Sequence, residues 1–337
     1  MNQVIRIGVD LSKRVFQVHG VDAAEQPVLR KTLRRGQMER FFAALPPIQI
    51  GMEACGSAHH WARVLQGLGH EVRLLPPQYV KPYVKRGKND AADAEAICEA
   101  MSRATMRFVP VRSRENQAEL LLLTTRDLLV KQKTMLINAI RGQAAEFGLT
   151  GSKATEGLAS LQQLIATTDA IPELARKVLA RLFEQIDSLD QQVRALEKQL
   201  KAWHRSHTQS RRIATIPGIG PITATALTMK VVDPRLFKSA RHFAAWLGLT
   251  PKNHSTAGRQ RLGVITRAGD ETLRRLLVNG ATAVIKYAKP GRASAWLLNL
   301  LARKPKKLVA VALANKMARI AWVLMMRGEV YRPSLLA

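Results

Sequence analysis

Five short segments near the N-terminus have the apolar alternation of β-strands, and they restrict the fold more than any other feature of the chain. Three of them, residues 4–9, 15–19 and 28–33, follow one another through short polar links, a pattern typical of an antiparallel meander. The other two are residues 48–53 and 71–75, and a helical pattern precedes each, at residues 38–45 and 57–68. Three strands followed by alternating helix and strand predict an α/β domain with a mixed sheet.

Acidic residues stand where two of these strands end. Asp10 closes the first segment and Glu53 closes the fourth, while Asp90 and Asp93 share one face of the helix-forming run 88–95. Four such carboxylates could converge on a divalent cation such as Mg²⁺, which prefers oxygen ligands and can activate phosphodiesters. Ordinary interpretations stay open. The helix pair also resembles an N-cap and its partner, and a strand-end acid is commonly a turn residue.

The charge of the chain points to a polyanionic partner. The net charge is +28 over 337 residues, and from residue 201 onward 25 Lys and Arg stand against four Asp and Glu. This excess is more than solubility requires, although it does not distinguish DNA from RNA or from an anionic membrane. The two cysteines form no metal-ligand spacing and no disulfide framework, which fits a reducing cytoplasm. Because the sequence has neither a signal-peptide pattern nor an uncharged apolar run of about 18 residues, no membrane partner is expected.

The middle of the chain predicts two long helices joined by a linker. Residues 113–147 have helical apolar positions, residues 148–168 are rich in Gly, Ser, Thr and Ala, and a second helix follows Pro172. The second helix carries a coiled-coil seam, with apolar residues spaced alternately by three and four: Leu179, Leu182, Ile186, Leu189, Val193, Leu196, Leu200 and Trp203. The seam can pack against its own chain, join subunits, or form an antiparallel hairpin with residues 113–147.

Two basic regions of the C-terminal part could contact phosphates. Gly218 and Gly220 form a Gly-x-Gly turn before a helix, which can present backbone N–H groups to a phosphate, although a plain tight turn is the alternative. Lys306 and Lys307 lie in a basic cluster between two predicted helices, where a solvated linker is the alternative.

The polar loop at residues 252–263 could carry covalent chemistry. Its serine, Ser255, can attack phosphorus and hold a DNA end as an ester, and arginine side chains can stabilise the charge that develops. The basic residues close to it in sequence are Lys252, Arg259, Arg261 and Arg267. From the residues alone, an ordinary loop serine is the simpler interpretation. Only His254 could serve as a local base, and adjacent side chains rarely face each other.

These motifs together resemble those of the IS110 family of insertion-sequence transposases. The resemblance rests on the Gly-Val-Asp strand ending at Asp10, the Glu-Ala-x-Gly strand end at Glu53, and the Asn-Asp-x-x-Asp-Ala helix of residues 89–94. It extends through Pro-Gly-Ile-Gly at 217–220, Phe-Ala-Ala-Trp-Leu-Gly-Leu-Thr-Pro at 243–251, His-Ser-Thr-Ala-Gly at 254–258 and Gly-Val-Ile-Thr-Arg-Ala-Gly at 263–269. Residues 113–205 match the family in architecture only.

The resemblance implies a role for each candidate residue. It implies a ribonuclease-H-like, RuvC-type domain at 1–112 whose metal ligands are Asp10, Glu53, Asp90 and Asp93. It further implies a helical, coiled-coil region at 113–205 and a mostly α-helical C-terminal domain at 206–337 with a helix-hairpin-helix-like turn. Ser255 becomes the expected nucleophile. Thr256 is a second candidate, because this chain has Ser-Thr-Ala-Gly where many members have two serines or Ser-Gly-Gly.

The implied function is DNA transposition. The protein would cut and rejoin donor and target double-stranded DNA through a phosphoserine intermediate, with Mg²⁺ as cofactor, a structured guide RNA as partner, and a homodimer or homotetramer as the active form. The carboxylates and Ser255 would then have to come together within one chain or between subunits. Two other hypotheses stay open: a metal-dependent nuclease or junction resolvase that uses water as nucleophile, and a non-catalytic nucleic-acid-binding protein.

Overall fold

The computed structural model describes residues 3–85, 90–152, 155–256, 258–259, 261–291 and 293–332, with the backbone alone at 155–156. Lys88 and Asn89 of the acidic-helix motif, and Ala257 of the serine loop, lie outside the described residues. The chain divides into two compact units, residues 1–117 and 118–337, and each has hydrophobic clusters of its own. The division into three domains remains a prediction.

A five-stranded sheet forms the centre of the first unit. Its strands are β1 (Arg6–Asp10), β2 (Val15–Val21), β3 (Pro27–Arg34), β4 (Gln49–Glu53) and β5 (Glu71–Leu75). Their order is β3-β2-β1-β4-β5. The first three strands are antiparallel neighbours, whereas β4 and β5 run parallel to β1. The predicted meander and mixed sheet are therefore confirmed, with crossovers that supply the parallel connections.

Helices cover both faces of this sheet. They are α1 (Met38–Ala43), α2 (Ala58–Gly67), α3 (Pro77–Val80) and α4 (Asp90–Met101). Successive side chains of a strand face opposite sides of a sheet. Ile7 and Val9 of β1 accordingly pack in one cluster with Phe42 of α1 and Leu65 of α2, whereas Gly8 lies against the backbone of α4.

Three helices occupy most of residues 114–206, and the first of them begins within the last four residues of the first unit. They are α5 (Arg114–Ala145), α6 (Thr155–Thr167) and α7 (Glu173–Ser206). Arg126 of α5 pairs with Glu197 of α7 at 2.6 Å, and further along α5 Lys133 pairs with Asp190. The later residue of α5, Lys133, pairs with the earlier residue of α7, Asp190, so the two helices are antiparallel. The seam of α7 thus packs within its own chain as a hairpin, and its role in joining subunits remains a prediction.

The predicted linker at residues 148–168 is wrong, because α6 occupies much of it. Leu161 and Ile165 of α6 are buried in one cluster with Ile140 of α5 and Phe183 of α7. Small and hydroxyl-bearing residues dominate this segment. Their composition is typical of a linker, and the few apolar residues at helical spacing among them were therefore not recognised as a helix.

The rest of the second unit is mostly helical, as predicted. Its helices are α8 (Thr208–Ile213), α9 (Pro221–Lys230), α10 (Ala240–Trp246), α11 (Glu271–Lys286), α12 (Ala295–Arg303) and α13 (Lys306–Arg327). A two-stranded antiparallel hairpin of β6 (Pro251–Asn253) and β7 (Leu262–Ile265) stands where the sequence predicted a loop. Its strand residues are almost all exposed, so no alternation between a buried and an exposed face marks it in the sequence.

α13 is the core helix of this unit. Ala314, Met317 and Ala321 of α13 are buried in one cluster with Leu273 and Leu277 of α11. Among the described helices it is the one long and apolar enough to cross a membrane, judged by length and composition alone, and half of its apolar window is buried inside the protein. This degree of burial is typical of a helix in the core of a folded protein.

Candidate functional site

The carboxylates that end β1 and β4 lie at the same edge of the sheet. The two strands are parallel and Val9 pairs with Met52, so Asp10 and Glu53 occupy the next positions side by side. Both side chains are half-buried. Parallel pairing thus brings together two acids that are far apart in the sequence.

Two glycines allow α4 to lie very close to these strands. A Cβ atom on Gly8 would lie 2.2 Å from the carbonyl oxygen of Ala94, and one on Gly51 would lie 2.9 Å from the sulfur of Met101. Gly8 and Gly51 are paired across β1 and β4. Each stands two residues before one of the acids, so the acids and α4 share one face of the sheet.

The direction of α4 brings its first turn toward the two acids. Nε of Arg6 donates to the carbonyl oxygen of Cys98 at 3.1 Å, whereas Gly8, two residues further along β1, lies under Ala94. α4 therefore runs opposite to β1. Its N-terminal turn, which carries Asp90 and Asp93, points to the edge where β1 and β4 end.

Three of the four predicted carboxylates share one electrostatic environment. Burial raises the pKa of Glu53 above its ordinary value, and the negative charges of Asp10 and Asp93 raise it further. Burial, followed by the charges of Glu53 and Asp10, also raises the pKa of the nearby Cys55 thiol. Asp90 is exposed at the start of α4. Negative charges gathered in a partly desolvated position favour a bound cation.

Oxygen donors of this kind suit a hard divalent cation. A cation at this edge would also relieve the repulsion that raises the pKa of Glu53. Within the part of the chain that the structure describes, however, no three His, Cys, Asp or Glu side chains stand close enough to enclose an ion. The donor chemistry fits a metal, and the ligand roles of Asp10, Glu53, Asp90 and Asp93 remain a prediction.

Ser255 lies beyond the end of β6 in the β6–β7 hairpin, and its side chain is exposed. Its hydroxyl donates a hydrogen bond to Oδ1 of Asn253 and accepts one from the backbone N–H of Arg261 at 3.1 Å. The backbone N–H of Ser255 donates to the same Asn253 oxygen at 2.9 Å. The hydroxyl is therefore oriented by two partners while it stays open to solvent.

Sequence reasoning missed Asn253 as a site residue. The available signal was its position two residues before Ser255, the spacing at which an Asn side chain binds the backbone N–H of an Asx turn. An Asn in a polar, glycine-containing segment is common, so the spacing alone did not mark it.

The neighbours of Ser255 have other contacts. The His254 ring lies against Gly263 on the opposite strand, where an added Cβ would lie 3.2 Å from it. Thr256 exchanges backbone hydrogen bonds with Arg259 across the tip, at 3.3 and 3.0 Å. Gly258, with φ +77°, makes this turn possible. The choice of Ser255 over Thr256 as nucleophile remains a prediction.

Arg274 of α11 clamps the base of the hairpin, a second role that the sequence did not reveal. Its Nη1 donates to the carbonyl oxygens of Leu247 at 3.0 Å and Ala268 at 2.9 Å. These carbonyls belong to the segments that enter and leave the hairpin. Gly248 and Gly269, both with positive φ, allow the two segments to approach each other and α10 closely. The serine is thus tied through its hairpin to a core helix.

Four basic side chains predicted to surround Ser255 are exposed on or beside the hairpin, namely Lys252, Arg259, Arg261 and Arg267. None of them takes part in the ion pairs formed among the described residues. Their charges are therefore available to an anionic ligand.

The two glycines of the Gly-x-Gly turn have different surroundings. Gly218 has φ +86°, and a Cβ there would lie 2.7 Å from a methyl carbon of Val284 and 2.9 Å from the carbonyl oxygen of Gly280. Gly220 is exposed at the N-terminus of α9, with no atom near the position of a Cβ. Packing against α11 therefore accounts for Gly218, while contact of this turn with a phosphate remains a prediction.

Lys306 and Lys307 lie in the first turn of α13, not in the linker where the sequence placed them. Both are exposed. Positive charges at a helix N-terminus oppose the helix dipole, and an anion bound there would offset that repulsion.

Comparison with known proteins gives the same family at both ends of the chain. Residues 7–147 match the DEDD transposase domain of the IS110 type, described as "Transposase", and residues 210–296 match "Transposase IS116/IS110/IS902 family". A relative in Sinorhizobium fredii, named "Putative transposase y4pF/y4sB", is 57% identical over 335 residues, which are 98% of this chain and 87% of the relative. The transposase for insertion sequence element IS1328 of Yersinia enterocolitica is 39% identical over 335 residues, 98% of this chain and 99% of the relative.

The chain belongs to the IS116/IS110/IS902 family of transposases. A member of this family is an enzyme that cuts and rejoins DNA. Its DEDD domain implies a ribonuclease-H-like fold, and the first unit of the structure has the mixed α/β architecture that such a fold requires. The same domain suggests a divalent metal, which agrees with the donor chemistry at the edge of β1 and β4.

Proposed function

We propose that this transposase cuts and rejoins donor and target double-stranded DNA through a covalent phosphoserine intermediate at Ser255. The observation that carries the proposal is the state of the Ser255 hydroxyl. It is exposed, it is oriented by Asn253 and by the Arg261 backbone, and exposed arginines accompany it on the same hairpin. A nucleophile needs this combination of access, fixed direction and neighbouring positive charge.

The proposed chemistry has two steps. Oγ of Ser255 attacks a backbone phosphorus, so that an O–P bond forms while the bond from phosphorus to one deoxyribose oxygen breaks. Ser255 gives up its proton, and the leaving oxygen gains one. A hydroxyl of another DNA strand then attacks the phosphoserine and releases Ser255, which conserves the bond energy and requires no external energy source.

The side chains of the hairpin support different parts of this reaction. Arg259 and Arg261 would stabilise the charge that develops on the phosphoryl oxygens. Asn253 would direct the hydroxyl. An amide oxygen is too weak a base to take the serine proton, so that proton passes to a group other than Asn253.

Mg²⁺ is the proposed cation of the DEDD domain, with Asp10, Glu53, Asp90 and Asp93 as its ligands. When bound, it would supply Lewis-acid stabilisation of phosphodiester oxygens. Burial raises the pKa of Glu53, and the charges of Asp10 and Asp93 raise it further, which supports this assignment. Asp90 joins the set through its position one helical turn before Asp93 in the first turn of α4.

The proposed partners besides DNA are a structured guide RNA and further copies of the chain, in a homodimer or homotetramer acting in the bacterial cytoplasm. The excess of positive charge after residue 201 supports a large nucleic-acid surface. Gly220 at the start of α9, with Gly218 holding its turn, and Lys306 and Lys307 at the start of α13 would contact backbone phosphates.

A metal-dependent nuclease or junction resolvase remains the alternative function. One observation favours it: Asp10 and Asp93 both act on the pKa of Glu53 within a ribonuclease-H-like domain, where such carboxylates could hold a metal that activates water without Ser255. The two functions differ in whether the protein becomes attached to DNA.

The test uses protein co-expressed with the non-coding DNA that flanks its gene, incubated with end-labelled donor and target DNA and Mg²⁺. We expect a protein–DNA adduct that resists denaturation and maps to Ser255 by mass spectrometry. Ser255→Ala should lose the adduct and keep DNA binding, and Thr256→Ala is the matched control on the same loop. Cleaved DNA without an adduct would replace the proposal with the nuclease alternative.

A further inference from the structure

One face of α13 combines positive and apolar side chains at helical spacing. Lys316, Arg319, Val323 and Arg327 follow one another at intervals of three or four residues and therefore lie in one stripe. This stripe borders a cavity of about 330 Å³ within the second unit, a size at the lower end of small-ligand sites. The cavity is separate from the serine hairpin, and nothing in the phosphoserine chemistry uses it.

The interior of the cavity is apolar. Ile320 and Leu324 of α13 are buried at its base, and Val323 is half-buried beside them. The segment after α13 forms another wall with Val330 and Tyr331. A hydrogen bond of 2.9 Å from the Tyr331 backbone N–H to Oγ1 of Thr215 fixes this wall in place.

The rim of the cavity is positively charged. Four cationic residues line it, Lys316, Arg319, Arg327 and Arg332, against one acid, Glu329. The three arginines form no ion pair with any carboxylate of the described chain, so their charge is open to a ligand. The Lys316 ammonium lies 4.6 Å from the centre of the Trp296 ring, which is 38% exposed, and an aromatic face thus continues the surface beyond the rim.

We propose that this cavity binds one unpaired nucleotide of a single-stranded nucleic acid. The base enters the apolar interior against Tyr331, and the flanking phosphates contact Arg319 and Arg327. A nucleotide joins a flat, weakly polar base to an anion, and single-strand sites recognise it with an aromatic side chain and nearby cations. A paired base is stacked within its duplex and cannot enter such a cavity unless it is flipped out.

This proposal rests on the family's action on DNA and not on the identity of the nucleophile. Cutting and rejoining strands can expose unpaired nucleotides at the break, and a site for one of them would hold a strand in place during exchange. Because Ser255→Ala should leave binding at this cavity unchanged, failure of the phosphoserine chemistry and failure of this site are separate results.

The test is fluorescence anisotropy on the full-length protein with labelled oligothymidine, oligouridine and an abasic strand, each about 12 nucleotides long, and with a duplex of the same length. Val323→Trp fills the cavity, Tyr331→Ala removes the ring, and Tyr331→Phe restores it. Arg327→Gln removes a rim charge, and Arg181→Gln is the matched control on the exposed surface of α7. Melting temperatures show whether each variant is folded.

We expect Val323→Trp and Tyr331→Ala to weaken single-strand binding about tenfold and to leave duplex binding unchanged. Tyr331→Phe should bind single strands as tightly as the parent protein. The logarithm of the single-strand binding constant falls linearly with the logarithm of the salt concentration. Arg327→Gln should reduce the magnitude of this slope by about 0.7, and Arg181→Gln should leave it unchanged. A preference for oligothymidine would assign the site to a DNA strand, and a preference for oligouridine to an RNA. The proposal is overturned if the abasic strand binds the parent as tightly as oligothymidine, or if folded Tyr331→Ala and Val323→Trp bind like the parent.

Discussion

The hydroxyl of Ser255 donates a hydrogen bond to the amide oxygen of Asn253, and the same oxygen accepts the backbone N–H of Ser255. One side chain thus fixes both the turn that carries the proposed nucleophile and the direction of its hydroxyl. This arrangement needs no burial, since both residues are exposed.

Replacing Asn253 should slow the chemistry without affecting DNA binding. We expect Asn253→Ala to reduce the rate of adduct formation tenfold to about a hundredfold, the usual cost of a misdirected reacting group. Asn253→Asp keeps an acceptor oxygen and should recover part of the rate. Rapid-quench measurement of the adduct gives the rate, and anisotropy with duplex DNA gives the affinity. An unchanged adduct rate in Asn253→Ala would show that the amide has no positioning role.

Gly8 should not tolerate a side chain, because α4 lies against it. A Cβ there would lie 2.2 Å from a backbone oxygen of α4, and backbone atoms cannot yield as a flexible side chain does. We expect Gly8→Ala to lower the free energy of unfolding by about 3 kcal/mol, as overpacking at a rigid site does. Urea unfolding followed by circular dichroism measures this loss.

Gly36→Ala is the control for this prediction, since no atom lies near its added Cβ and its φ is not positive. It should change the free energy of unfolding by less than about 0.5 kcal/mol. Equal stability of the two variants would mean that α4 can shift away from β1 at little cost.

Glu53→Gln should stabilise the protein in the absence of divalent metal. Burial and the charges of Asp10 and Asp93 raise the folded-state pKa of Glu53, so its charged form destabilises the fold at neutral pH, where the unfolded chain also carries that charge. Because the side chain is half-buried and partly screened, the expected gain is about 0.5 kcal/mol. Thermal unfolding in EDTA measures the gain.

The same variant should lose the stabilisation that added Mg²⁺ or Mn²⁺ gives to the parent, together with strand exchange. Glu25→Gln is a matched charge change away from the two acids, although it also removes the partner of Arg6. A lower melting temperature of Glu53→Gln in EDTA would contradict the repulsion between these carboxylates.

The sheet of the first unit could be predicted from the sequence because its central strands are buried. Burial requires a run of apolar residues, and that run is visible in the sequence. Parallel pairing of two apolar strands is sufficient to place Asp10 beside Glu53, and α4 follows from its helix-forming composition. The spacing of Asp90 and Asp93 predicted that both lie on one helix face. It could not show that the charge of Asp93 raises the pKa of Glu53 whereas Asp90 is exposed. That difference depends on how α4 crosses β1, which the close contact at Gly8 determines.

The hairpin around Ser255 could not be predicted in the same way. Its strands are exposed. Backbone hydrogen bonds pair them, and Arg274 binds the segments on either side of the hairpin. Neither kind of contact produces an apolar periodicity in the sequence. α6 was missed for another reason. Its buried residues Leu161 and Ile165 are few, and the small polar residues around them have the composition of a linker.

His59 should make the stability of the first unit fall as the pH decreases below 7. Its Nδ1 accepts the backbone N–H of Arg112 at 3.3 Å, and burial, with the charges of Arg112 and Arg63, lowers its pKa to about 4. Between pH 6.5 and 4 the unfolded chain therefore binds a proton that the folded protein does not, so the free energy of unfolding decreases as the pH falls. After allowance for the exposed half of the ring, the free energy of unfolding should fall by about 1 kcal/mol from pH 7 to pH 5.

His59→Asn keeps a hydrogen-bond acceptor and removes the titration. Urea unfolding across this pH range should therefore show a flatter pH dependence for this variant. His60→Asn, at the exposed neighbour, should keep the pH dependence of the parent protein. The same dependence in parent and His59→Asn would assign the effect to other groups.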